Sequence, residues 1–128
     1  MKRKQQVIVP QPRLKTGFFS RLDPNVIPEE KYKYCTTQAG AADFGSPIDI
    51  HAVLKIDCVV IGSVAVNPAN GARIGKGEGF ADLEYGMSRL MGAVDDSTPI
   101  VTVIHDCQLV DDIPTEKMMP SDVPVDVI

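Results

Sequence analysis

The sequence predicts an α/β fold, with a mostly parallel sheet flanked by helices, and three observations carry that expectation. DCVVIGSVAV, 57–66, is a continuous apolar run rich in Val and Ile, the pattern of a parallel strand covered on both faces. A glycine-rich stretch, RIGKGEGFAD at 73–82, follows it closely. From residue 80 onward Phe80, Leu83, Met87, Leu90, Met91 and Val94 recur at three- and four-residue steps, the spacing of an amphipathic helix ending near 92–95, of which the stripe Met87, Leu90 and Met91 is expected to be core. Strand, glycine turn, helix and a further strand form the grammar of a layered α/β chain.

Each element can be justified in order. Lys2, Arg3 and Lys4 make a short basic tail, residues 1–5. QVIV at 6–9 reads as a short buried strand stopped by Pro10 and Pro12. VIPEEKYKYCTTQ, 26–38, offers a helix start, with Pro28 near a first turn and Glu29 and Glu30 behind it. TPIVTVIHD, 98–106, predicts a second buried strand; IPTEKMM a short helix opened by Pro114; and VPVDVI a last strand. No internal repeat or low-complexity segment is visible.

Composition bounds the function classes. The chain has 128 residues, 44% hydrophobic and 23% charged, and a formal net charge of -4, which predicts a single soluble domain without a broad cationic face for nucleic acid. The apolar run 58–66 is far too short to cross a bilayer, and the first residues lack the apolar stretch of a secretory signal. Cys35, Cys58 and Cys107 are odd in number and have no CxxC spacing, so reduced thiols in the cytoplasm or nucleus are expected.

The glycines at 75, 77 and 79 carry the chemistry. A glycine turn between a buried strand and a helix lets main-chain N–H groups approach an anion, and the helix dipole favours negative charge there. Arg73 and Lys76 would add charged hydrogen bonds to phosphate oxygens. Asp82, in the first helical turn, suggests Mg²⁺ as the bridge to a phosphate chain, so a nucleoside triphosphate with Mg²⁺ is the expected ligand. Two other readings stay open: a tight turn whose glycines merely take positive φ, and an Asp82 favoured by the dipole alone. The stretch matches neither the dinucleotide fingerprint nor the Walker A loop.

NGARIGKGEGFADLEYGMSRLMGAV, with TPIVTVIHDCQLVDDIP and SDVPVDVI after it, resembles the 5-formyltetrahydrofolate cyclo-ligase (methenyltetrahydrofolate synthetase) family over residues 6–128. The resemblance implies a layered fold similar to sugar isomerases and CoA transferases. It also implies a loop in which Arg73, Gly75, Lys76, Gly77, Glu78, Gly79 and Phe80 hold nucleotide, Arg73 and Lys76 act in catalysis, and Asp82 holds the metal. The implied reaction is ATP-dependent cyclisation of a reduced folate: phosphoryl transfer to the formyl oxygen, attack by the neighbouring nitrogen and loss of phosphate. Residues departing from the family pattern are Ser46, Ala81 and Asn67, where a glutamate, a second aromatic and an aspartate are common. The family's amino-terminal segment has no counterpart here, so an incomplete domain that binds nucleotide without turning over folate is expected. The alternative is a non-catalytic nucleotide-sensing or interaction module. In an animal branch of the family the domain is joined to an RNA-recognition motif, so RNA is expected only through a separate domain.

His105, Asp106 and Cys107 stand in a row, but adjacent strand residues point to opposite faces and do not make a triad. Gln108 reads as a strand-end amide that caps a loop, and KYKY at 31–34 as an exposed helical face.

Overall fold

The computed structural model describes residues 5–11 and 17–128 and divides into two compact units at Ala52/Val53. The basic tail, apart from Gln5, and Pro12 lie outside the described residues.

In the first unit, β1 (Val7–Pro10), β2 (Phe19–Leu22) and β3 (Ser46–Ile48) form an antiparallel sheet in that order. Val7 pairs with Leu22, and Phe19 with Ile48. Phe19, Leu22, Ile27 and Ile48 are buried, whereas the expected buried strand at 6–9 is only half covered. The helix start expected around 26–38 is present, but the helical run is interrupted within it. A 3₁₀ turn at Glu29–Lys31 leads into α1 (Tyr32–Cys35), and Thr37 then leaves helical dihedrals to start α2 (Gln38–Phe44). The Thr37 hydroxyl accepts from the Gly40 N–H at 3.1 Å, an N-cap that fixes where the second helix begins. A cavity of ≈ 690 Å³ lies in this unit, walled by Val7, Val9, Leu22, Ile27 and Ala41.

In the second unit, β4 (Val59–Val60) pairs in parallel with β7 (Ile100–Val101), while β5 (Ala65–Val66) and β6 (Arg73–Ile74) form an antiparallel pair. Parallel single bridges join Val66 to Leu109 and Val101 to Val127. The chain is therefore mixed α/β with several small sheets, and a single mostly parallel sheet is not what the described residues form.

The run 57–66 is a correction to the expected central strand. It is cut between β4 and β5, and Val60 is 72% exposed. At the cut, the Gln108 amide donates to the carbonyls of Ser63 (2.9 Å) and Val64 (3.1 Å), replacing a neighbouring strand as their partner. The core is Ile61, Val66, Ile100, Val123 and Val125.

The expected helix is present as α3 (Phe80–Leu90), but its inward face is not the expected one. Ala81 and Tyr85 pack on the core and Ser88 is buried, whereas Phe80 and Leu83 are exposed and Leu90 is 81% exposed. Of the stripe expected to be core, Leu90 is exposed and Met87 and Met91 are half-buried, while Val94, beyond the helix end, is buried.

Candidate functional site

Gly75 to Gly79 form the link from β6 to α3. Gly77 and Gly79 have φ of 79° and 71°, left-handed conformations in which a side chain is strained, so glycine is required by the backbone at both. At Gly75 an added Cβ would lie 3.1 Å from Arg73 Nη1, closer than ordinary contact, so the guanidinium would have to shift. Among the described residues, no N–H of residues 76–80 donates a hydrogen bond. Unpaired amides at the start of an 11-residue helix, beside the exposed ammonium of Lys76, suit an anionic group.

Arg73 is placed differently from a free phosphate ligand. Its side chain is only 5% exposed and forms three bonds: Nε donates to the Val123 carbonyl (3.2 Å), Nη1 to the Gly62 carbonyl (3.2 Å) and Nη2 to Asp82 Oδ1 (3.1 Å). Asp82 Oδ1 also accepts from the Val123 N–H at 3.1 Å. The two charged ends of the loop thus clamp each other and the segment that begins at Val123. Both Asp82 bonds fall on Oδ1, and the side chain keeps 28% of its surface exposed, which leaves Oδ2 as the oxygen with which a magnesium ion would be met. One carboxylate with phosphate and water suits Mg²⁺, and the described residues hold no cluster of three or more His, Cys, Asp or Glu fit for a metal cage.

Phe80 stands exposed at the helix start, and Glu78 is exposed in the loop. Ala81, where a second aromatic was expected by resemblance, is half-buried against the core. Buried Asn67 shapes the turn between β5 and β6, its Oδ1 accepting from the Ala69 N–H at 2.9 Å. Ser46 is exposed at the start of β3.

His105 Nδ1 accepts from the Cys107 N–H (3.2 Å) and the Gln108 side chain accepts from the His105 N–H (2.8 Å), so the row 105–108 closes a 3₁₀ turn. The loop-capping role read for Gln108 is what the amide performs. Sequence reasoning missed Val123 and Gly62, which act through backbone groups and leave no signal in residue type.

A family model described as the 5-formyltetrahydrofolate cyclo-ligase family matches residues 1–128. The chain is similar to a human protein named methenyltetrahydrofolate synthase domain-containing protein, with 46% identity over 126 residues, covering 98% of the chain and 32% of the relative. A Danio rerio protein of the same name is 44% identical over 129 residues, covering 100% of the chain and 33% of the relative. The chain spans about a third of the length of these curated relatives. No solved structure matches. Among the described residues no helix is long and apolar enough to cross a membrane.

Proposed function

The chain belongs to the 5-formyltetrahydrofolate cyclo-ligase family, and on that premise we propose that its glycine loop holds the phosphates of ATP with Mg²⁺ in a domain whose substrate class is reduced folate. The observation that carries this reading is the set of unpaired N–H groups of residues 76–80 around Lys76 at the start of α3. ATP would supply the phosphoryl group that activates the formyl oxygen of the folate.

The chain's own residues bind and orient. The amides of the loop and the Lys76 ammonium hold phosphate oxygens, Gly77 and Gly79 let the backbone curve without side chains in the way, and Asp82 Oδ2 meets the magnesium. Arg73 holds the loop's ends and so serves as a positioning residue. No protein nucleophile is needed, because the substrate's own nitrogen closes the ring. Positioning and charge neutralisation are the protein's contribution.

Isothermal titration with ATP and Mg²⁺ tests the reading. Lys76 is exposed and lies outside the core, so Lys76→Ala leaves the fold intact. Binding should weaken by about 1.5 to 3 kcal/mol, the usual worth of a hydrogen bond to a charged group. Superimposable curves for the parent and Lys76→Ala would remove the phosphate role from the loop.

A further inference from the structure

Between β6 and α3 the side-chain charges cancel. The Arg73 guanidinium is buried and paired with Asp82 through Oδ1, so the pair as a whole adds no net charge to the loop, while Asp82 Oδ2 stays open to a cation. What remains is Lys76 and Glu78, one on each side of Gly77. Both are exposed, and neither forms an ion pair with any described residue. An anion at the loop therefore meets amide N–H groups and the positive end of a helix, but no surplus of side-chain positive charge. Glu78 is also a repelling carboxylate that the fold itself does not use. A structural acid would have a donor to accept from, as Asp82 has in Arg73 and Val123.

We infer that Glu78 is the specificity-determining residue of the loop: by cancelling Lys76 it makes the loop select a nucleoside triphosphate already partly neutralised by a divalent cation over the metal-free form. The inference rests on the phosphate-loop reading and adds to the Asp82 contact a second source of preference for the magnesium form. A bound divalent ion is the largest local charge in a phosphate site, and it removes roughly half of the negative charge that Glu78 would oppose. Loss of the Glu78 charge should therefore help metal-free ATP more than its magnesium complex.

The test is titration of ATP, with EDTA and separately with Mg²⁺, into the intact chain and into Glu78→Gln and Glu78→Lys. For charges about one Debye length apart in water, Glu78→Gln should tighten metal-free ATP about fourfold and the magnesium complex about twofold, and Glu78→Lys about thirteenfold and fourfold. The preference for the magnesium form thus narrows stepwise from Glu to Gln to Lys, and the narrowing fades as salt is raised, a response that a packing effect would not give. A preference that stays constant across the three proteins overturns the role of Glu78 and leaves the phosphate loop standing. Absence of binding by all three, with and without magnesium, overturns both.

Discussion

Replacing Arg73 by alanine removes three bonds at once: those to the carbonyls of Val123 and Gly62, and the ion pair with Asp82. Breaking a buried ion pair costs about 3 to 5 kcal/mol, because the partner charge is left behind. Two features of the structure lower that figure. Asp82 is 28% exposed, so water reaches it, and it keeps the Val123 N–H as a donor. A loss of about 3 kcal/mol is therefore expected for Arg73→Ala, a large part of the 5 to 15 kcal/mol typical of a folded domain. Arg73→Lys keeps the charge but cannot reach three acceptors with one ammonium, and about 1 to 2 kcal/mol should be lost. Urea unfolding gives the total, and native-state amide exchange gives the place. The amides of Val123, which donates to Asp82, and Val125, which donates to the Gly71 carbonyl at 2.9 Å, should lose protection beyond the global change. The amide of Val59, bonded to the Pro99 carbonyl at 2.9 Å, should follow the global change alone. A loss under about 1 kcal/mol for Arg73→Ala, with Val123 and Val125 as protected as before, would refute the clamp.

Two glycines on either side of the start of α3 should respond to alanine with opposite signs. Gly79, with φ of 71°, should cost about 1 to 2 kcal/mol as Gly79→Ala, whereas helical Gly86, where an added Cβ meets nothing within 4 Å, should gain about 0.5 to 1 kcal/mol as Gly86→Ala. Equal signs in thermal or urea unfolding would show that backbone conformation is not what selects these residues. Acid stability provides a separate check. Asp95 accepts from Lys55 and from the hydroxyl and N–H of Ser97, and these bonds hold its carboxyl below the usual carboxylate range. Because the folded value lies below the unfolded one, the contribution is complete above about pH 4 and is lost as the pH falls further. Asp95→Asn should flatten the acid limb of the stability curve, and an unchanged limb would count against these bonds.

The elements that sequence placed well are those set by local chemistry. The strand at residue 7, the start of α3 at Phe80 and the short helix opened by Pro114, a single 3₁₀ turn at Thr115–Lys117, follow from apolar runs, glycine and proline, which act over a few residues. The elements it misplaced depend on distant partners. DCVVIGSVAV has the composition of one strand, yet its middle carbonyls belong to Gln108, some forty-five residues away. The α3 stripe shows the same limit. Periodicity finds the most apolar face, but the Asp82 bonds to Arg73 and Val123 fix the helix at its first turn, and small Ala81 with Tyr85 can then approach the core. Tertiary contacts decide which face of an amphipathic helix is buried, even where the sequence pattern marks one face clearly.

The candidate site was legible as a motif, but its division of labour was not. In R-x-G-x-G-x-G-aromatic-x-D the two charged ends and the glycines look like equal contributors to one ligand. A loop that must offer its amides to an anion cannot use those amides to hold its own shape, so the shape has to come from the ends. Arg73 and Asp82, nine residues apart, supply that closure directly, and the guanidinium extends it to Gly62 and Val123. Closing so short a loop costs little entropy once the ends are fixed, and the left-handed glycines relieve the strain of the bend. On the proposed reading, the middle of the loop would carry the phosphate chemistry, with Lys76 attracting and Glu78 discriminating, while Arg73 and Asp82 Oδ1 keep that middle in place and Asp82 Oδ2 is left for the metal.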